Sequence, residues 1–593
     1  MADGRDQSGG FSYRTALPWT NIFRCFQVAL DPRKLFVAAL GILVMSFSWW
    51  LLSNVFWYKA PKDNEGEYTV DYVKRDYEGK TKDNDKNYTL DDFQKIKNER
   101  FARDYAQWQQ LDALAGPGGR LRTLPWDEYR GPNPFLFFTE TLGGSAADRE
   151  TAVRGFFGGS VPVLVEPLVK LLLPVAKILS PGISPQTRLY LFFILLSNVA
   201  VWAFCGGVIT RLAAVQLANK GPITFMQAVR FVASRYLSYL GAPLVPLGII
   251  GAVVVGLAVY GLFALIPFVG DVLLLGVGLP LVIIGGAIMT VFLVGLVGYP
   301  MMYTTLSAEG DQSDTFDALS RSVNYVYQAP WSYLWNWIVA VLYGAAVTLF
   351  VLFFASVTVY VGKWAVGLTA SLVWQDRKPE FLFIYAPESF GWKELLTKDS
   401  PYEVKGRWVM YDGKGAETTD PAQRVREVYK YEPKNPEAYE AKRSEFYAYN
   451  AWGAGLVCFW LTAAFLLMLG FSYSFFWSAA TMIYFLMRQK VDEAELDEVF
   501  EDEEPDAPLA PPKLATGTAP VPPTSPTSLP VISAPPAPPP APAPVSPPLP
   551  PPPPATIPFS TPAATSPPAP PVSPPPPPPE PKPPATDTLP LAE

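Results

Sequence analysis

Between Arg188 and Arg211 stand 22 residues, Leu189 to Thr210, without one charge. As a helix this run measures roughly 33 Å, the thickness of a bilayer's hydrocarbon core. Few soluble folds need an apolar run of that length, so the chain is read first as a membrane protein. Five further runs repeat the pattern. The first span is expected over 35–58, the second over 189–210, the fifth over 333–361 and the sixth over 452–487. The third and fourth share 243–302, with Gly270-Asp271 as a tight turn between them. Hydrophobic residues make up 49% of the 593 and charged ones 17%, and Trp49, Trp50, Trp57, Tyr58, Trp331 and Trp335 sit where spans should meet headgroups.

Loop charge sets orientation, because short loops rich in Lys and Arg stay inside. Arg5, Arg14, Arg24, Arg33 and Lys34 precede the first span. Arg211, Lys220, Arg230 and Arg235 follow the second, and Arg488 and Lys490 follow the sixth. This places the N-terminal segment 1–34, the loops 211–242 and 303–332 and everything after residue 487 in the cytosol. The segments 59–188 and 362–451 are then extracytosolic modules. The expected location is a bacterial inner membrane with both termini cytosolic. No cleavable signal peptide is expected, since the first apolar run starts only at Leu35 and is as long as a span.

The outer segments look folded. Residues 59–150 carry 15 Lys/Arg against 18 Asp/Glu, a solvated balance. Thr89 and Asp92 form a capping box ahead of Phe93, Ile96, Phe101, Tyr105, Trp108 and Leu111, which predicts a helix of about 25 residues with one apolar stripe. In Val161–Leu179, Glu166, Lys170 and Lys177 share one face of an apolar stretch, so an interfacial helix on the outer leaflet is expected. Tyr402–Met410 followed by Asp412-Gly413 signals a hairpin. A helix from Pro436 is expected to run on into the sixth span.

Three cytosolic segments share one grammar: a short amphipathic helix, a proline turn, then a span out and a span back. Thr224-Phe225 leads to Ala242-Pro243, and Thr315-Phe316 leads to Ala329-Pro330. A fainter copy runs from Ile22 to Pro32. The expected fold is therefore an all-α polytopic membrane protein. Its six transmembrane helices form three helical hairpins, each preceded by a cytosolic amphipathic helix, with a disordered proline-rich tail. The shared Thr-Phe and Ala-Pro pairs are read as an internal repeat in preference to convergence among amphipathic loop helices.

The stretch Ala308-Glu309-Gly310 through Asp317-Ala318-Leu319-Ser320-Arg321-Ser322 to Pro330-Trp331 resembles the loop motif of a bacterial polytopic membrane-domain family sometimes fused to glycerophosphodiester phosphodiesterases. Ser478-Ala479-Ala480-Thr481 through Tyr484, Arg488, Val491-Asp492 and Glu498-Val499-Phe500 is similar to uncharacterised planctomycete-type polytopic membrane proteins. Together they cover about a tenth of the chain. The resemblance implies a membrane module and carries over no activity, because the phosphodiesterase barrel and its histidines have no counterpart here.

The chain has no histidine. That removes imidazole acid–base chemistry, Ser-His and Cys-His nucleophile pairs and imidazole metal sites together. Cys25, Cys205 and Cys458 are read as buried thiols. Gly413-Lys414-Gly415 lacks the upstream glycine of a phosphate loop. No ionisable residue falls inside the six spans as drawn. Asn54 and Asn198 are read as interhelical glue, Pro246 and Pro280 as possible helix breaks, and Ala252 and Gly256 as a close-packing pair. Glu309, Asp311, Asp314 and Asp317 form the densest cytosolic carboxylate group ahead of the tail; a divalent cation is the functional reading, but Asp314 as helix cap and Asp317 in the first turn explain half of the group, and structural roles are preferred. No catalytic, cofactor-binding or metal residue is assigned, and no cofactor is expected.

Ten of the fifteen residues from Asp492 to Asp506 are acidic, and 488–504 is expected to extend the last helix. Prolines then dominate: 39 of the chain's 64 lie in 505–593, a composition that cannot bury enough apolar surface to fold. The expected function is a non-enzymatic integral membrane module organising partners or lipids, with this tail as docking arm or spacer. The alternatives are a transporter or channel for a neutral or lipid-like substrate, and then an intramembrane enzyme. The expected partners are the lipid bilayer and cytosolic proteins bound through 505–593. No nucleic acid is expected, and a helix-mediated oligomer is possible on the small-residue faces.

Overall fold

The structure is a computed structural model. It describes residues 17–56, 68–80, 89–112, 124–141, 163–180, 183–263, 265–266, 268–310, 313–373, 382–411, 417–420, 426–445 and 447–500. The chain divides into two compact units, Met1–Asp506 and Ala507–Glu593. The second unit, with the proline-rich segment, lies outside the described residues, as do Gly413-Lys414-Gly415 and Asp311.

A 3-10 segment, Pro18–Arg24, leads into α1 (Cys25–Ala29) and α2 (Pro32–Val55). Then come α3 (Val70–Lys80), α4 (Leu90–Asp112), α5 (Pro134–Thr141), α6 (Glu166–Ile178) and α7 (Pro185–Leu217). They are followed by α8 (Phe225–Ser234), α9 (Tyr236–Phe263), a π-helical stretch (Val269–Val277), α10 (Leu279–Val297), α11 (Tyr299–Glu309) and α12 (Thr315–Gln328). The remainder is α13 (Pro330–Val373), α14 (Trp392–Thr397), β1 (Val404–Tyr411), β2 (Glu417–Thr418), β3 (Arg426–Pro433), α15 (Pro436–Ser444) and α16 (Ala448–Val491). Six of these, α2, α7, α9, α10, α13 and α16, are long and apolar enough to cross a membrane. The expected spans are all present.

Local chemistry sets where helices start. Asp31 accepts from the Arg33 amide ahead of Pro32, and Ser184 accepts from the Thr187 amide ahead of Pro185. Such side chains satisfy amides that have no partner within the helix. Thr224 with Gln227, and Asp314 with Asp317, close reciprocal capping boxes on α8 and α12. Thr89 and Asp92 exchange the same pair of bonds, at 2.9 and 3.4 Å. The stripe behind them buries Phe93, Phe101 and Tyr105 on α4. The hairpin signal becomes a three-stranded antiparallel sheet in the order β2-β1-β3, with Trp408 opposite Tyr429.

The core is built by α2, α7 and α16, with α11 and α13 against them. The first and last spans approach so closely that a Cβ on Gly470 would stand 2.8 Å from the Leu35 carbonyl oxygen. By contrast, 22% of α9's most apolar window and 11% of α10's are buried within the protein, against 61% for α7. α10 packs mainly on α9, while α9 also meets α7, α11 and α12.

Several expectations need correction. The second span does not stop at Arg211: α7 runs on to Leu217, because Arg211 finds partners inside the protein and does not need water. Gly270-Asp271 is not the turn. Both lie in the π-helical stretch, ahead of which Phe268 takes φ +66°. Pro243 does not break a surface helix, since α9 starts at Tyr236 and passes through Pro243 and Pro246; Pro280 sits in the first turn of α10, where its missing amide costs nothing. The expected loop helix 303–332 is two helices, and Met301–Ala308 of α11 is wholly buried. The helix from Pro436 ends at Ser444, and α16 begins separately at Ala448. Of the stretch 488–504, residues 488–491 finish the last helix, 492–500 form an irregular segment, and 501–504 lie outside the described residues.

Ala252 and Gly256 are not a packing pair either. A Cβ on Gly256 would meet nothing within 4 Å, whereas one on Gly285 would meet Leu257 at 3.1 Å. Gly256→Leu is therefore expected to leave the melting temperature in detergent within error of the parent. Gly285→Leu should lower it by several degrees. A reversed order would mean that the α9–α10 pair packs through the other face.

Candidate functional site

Three layers of side chains run along the bundle axis. The first lies at the end where α7 and α16 begin. Arg130 is wholly buried, and its Nη1 donates to the Pro125 carbonyl and, at 3.3 Å, to Ser389 Oγ. Its Nη2 pairs with Glu128 and lies 3.6 Å from Glu166 Oε1; Glu166 in turn pairs with Lys170 one turn along α6. Two carboxylates and two cations thus alternate, and all four are buried. The Lys170 ammonium lies 5.4 Å from the Trp49 ring centroid, and Trp49 Nε1 donates to Asn198 Oδ1 at 2.6 Å. Asn198 Nδ2 returns a bond to the Lys170 carbonyl at 3.0 Å.

Glu166 and Lys170 of α6 therefore point into the protein, which corrects the interfacial reading for those two, while Lys177 stays half-buried. Buried charges are tolerable only when compensated, and here each has an opposite neighbour. Burial pushes Glu128 up to about 7 against the pull of Arg130 and Lys170. Burial also works upward on Glu166, but Lys170 and Arg130 outweigh it and hold that carboxyl below its ordinary range. Nearby, burial and then the charge of Glu388 raise Asp127 to about 6.

Raised carboxyls bind protons more tightly folded than unfolded, so Glu128 and Asp127 favour the fold at low pH. That contribution is lost as pH rises from the ordinary carboxylate range through about 7. The melting temperature is expected to fall by a few degrees between pH 5.5 and 8. Glu128→Gln should flatten most of that slope, and an unchanged slope in that variant would assign the effect elsewhere.

The two outer segments, read separately from sequence, meet at this cluster. The amides of Glu388 and Ser389 both donate to the Trp126 carbonyl at 2.9 Å, and Tyr129 stacks on Tyr429 at 4.0 Å.

The second layer is aromatic. The Tyr473 hydroxyl faces Glu166, and its ring stacks on Trp202 at 4.7 Å and 15°. Trp202 neighbours Trp477 at 6.4 Å, and Trp477 stacks on Tyr303 at 5.2 Å and 16°. Tyr239 meets Tyr303 edge-on at 5.7 Å. Gly206 makes room for this column, since a Cβ there would stand 3.0 Å from the Trp477 ring.

The third layer lies at the end that carries the N-terminal segment. The Tyr239 hydroxyl and Thr210 Oγ1 converge on Ser307 Oγ at 2.8 and 2.7 Å. Arg211, 1% exposed, donates to the carbonyls of Ser307 (2.8 Å) and Phe500 (2.9 Å). Arg211 and Arg235 each lie 4.0 Å from the Phe231 ring centroid, a favourable cation–π distance. Glu309 accepts from Arg321 at 2.6 Å and from the Tyr484 hydroxyl at 2.8 Å, with Arg488 4.0 Å away. Arg488 also holds Glu498 at 2.8 Å, and Tyr325 bonds Asp492.

The residues singled out from sequence separate accordingly. Asn198 joins α2, α6 and α7. The Asn54 amide donates to the Trp50 carbonyl of its own helix at 2.8 Å. The carboxylate group is divided, with Asp314 and Asp317 capping α12 and Glu309 paired with cations. Burial pushes the Cys25 thiol up to about 12, and its Sγ lies 3.6 Å from the Ser478 carbonyl. Sequence reading missed Glu128, Arg130 and Arg211, and it missed that Ala308–Gly310 and Glu498–Phe500 meet. The visible signals were the Glu166–Lys170 spacing inside an apolar helix and the lone Val499-Phe500 pair in an acidic run. No family model, curated protein or solved structure matches the chain.

Proposed function

We propose that the chain is a non-enzymatic integral membrane module that organises partners or lipids at both faces of a bilayer. In this reading both termini face the cytosol of a bacterial inner membrane, and 505–593 is a docking arm. The observation that carries it is the filled axis. Trp202, Tyr473, Trp477 and Tyr303 stack where a transport path would need water or substrate. The charges at both ends of that column are spent on one another. Such an interior suits a rigid platform better than alternating access, which moves discontinuous helices around a central site. The α8 and α12 helices, each opened by a capping box between spans, support the repeated cytosolic grammar. The open apolar faces of α9 and α10 fit lipid.

The test is affinity capture from membranes with three chains: the full protein, one ending at Glu504, and one with a Gly/Ser linker of equal length in place of the tail. A defined set of co-purifying proteins should be lost on truncation and stay lost with the linker. Recovery with the linker would make the tail a spacer. Saturable solute uptake into proteoliposomes would instead favour a transporter.

A further inference from the structure

The segment after the last helix is tied down at several points although it has no regular structure. Asp492 caps α16 through its amide to the Arg488 carbonyl (2.8 Å), and Glu493 turns the chain back with φ +55°. Asp492 then bonds Tyr325, Glu498 pairs with Arg488, and Val499 is buried. Phe500 is held most specifically. Its amide donates to the Ala308 carbonyl at 2.7 Å, and its own carbonyl accepts from Arg211 at 2.9 Å. Its ring lies against Gly310, where a Cβ would come within 2.3 Å of it; Gly310 takes φ +60°, a conformation that glycine adopts without strain. The Phe231 ring stands 6.5 Å away, with Arg235 5.7 Å from the Phe500 centroid.

We propose that residues 492–500 are a releasable latch, with Phe500 occupying in cis a peptide site formed by Ala308, Gly310, Phe231, Arg211 and Arg235. Both backbone hydrogen bonds of one residue and its aromatic ring are read together, which is how a peptide site recognises an extended segment. The attachments are of the kind that opens. Five of the nine residues are acidic, and Glu498 keeps 58% of its side chain in solvent, so its ion pair is weak and screened. Val499, the Asp492–Tyr325 bond and the Phe500 ring hold the rest.

Release is felt inside the bundle, because Arg211 bonds the Ser307 carbonyl as well and Ser307 holds Tyr239 and Thr210. The chain passes directly from Phe500 into the acidic and proline-rich segment. On the docking-arm reading above, a partner that draws on that segment opens the latch.

The test needs no partner, so it stands or falls separately from the capture experiment. Full-length protein in lipid nanodiscs is digested under native conditions with a Glu-specific protease, and cleavage at Glu495 and Glu498 is read by mass. Phe500→Ala and Gly310→Ala should each be cut about tenfold faster than the parent, because cleavage follows the open population. Phe500→Tyr should stay near the parent. The helical melting temperature should be unchanged in both Phe500 variants, whereas Gly310→Ala adds backbone strain of its own at φ +60°. Equal cleavage in the parent and Phe500→Ala would overturn the latch. A matching fall in melting temperature would also overturn it, making Phe500 ordinary core.

Discussion

Arg130→Met is expected to destabilise the protein by about 3–5 kcal/mol, enough to drive it out of the monodisperse fraction in mild detergent. The substitution keeps most of the volume but leaves Glu128 and Glu166 buried with Lys170 as their remaining cation. Adding Glu128→Gln removes the surplus negative charge and keeps the Glu166–Lys170 pair on α6. The double variant should therefore recover more than half of the loss. A single variant that melts with the parent would show that water reaches the cluster. A double variant no better than the single would assign the loss to the bonds from Arg130 to Pro125 and Ser389.

Trp477→Ala should cost a similar amount, about 3–5 kcal/mol, by opening a cavity at the centre of the aromatic column. Trp477 is wholly buried between Trp202, Tyr299 and Tyr303, so three helices lose contacts at once. The control is Trp460→Ala on the same helix, which removes a ring that is 69% exposed. It should change the melting temperature by little. Similar losses in both variants, measured in nanodiscs, would mean that the column is not where the bundle is held together.

The spans were legible because an uncharged run of bilayer length has few other uses, and α2, α7 and α16 fall where apolarity alone puts them. Caps were legible too, since Thr224 with Gln227 and Asp314 with Asp317 act over three residues and need no tertiary partner. Two of the misreadings share one cause. Charges were used as markers of water, and the structure buries several with partners far away in the chain. Arg211 was taken as the end of a span, but the Phe500 carbonyl that receives it lies 289 residues on. Glu166 and Lys170 were taken as a wet face, because Arg130 and Glu128 sit on a loop with no periodicity to advertise it. The acidic stretch was extended as helix because its composition favours one; Phe500 binding at Ala308 and Gly310 is a tertiary event that overrides that preference. The stretches around Glu309 and around Arg488 pack together, and neither alone announces the other.

The close pairing of the first and last spans has a consequence for biosynthesis. Ser474 donates to the Ala29 carbonyl, and Cys25 reaches the Ser478 carbonyl across 453 residues. Half of the central core is therefore made first and the other half last. At about 5–20 residues per second, the ribosome needs tens of seconds after finishing α7 to deliver α16. Throughout that interval α7 is paired with α2 but lacks α16, whose Tyr473 and Trp477 cover the Trp202 ring. A chain that stops short of residue 448 lacks α16 and with it one of the three helices that build the core.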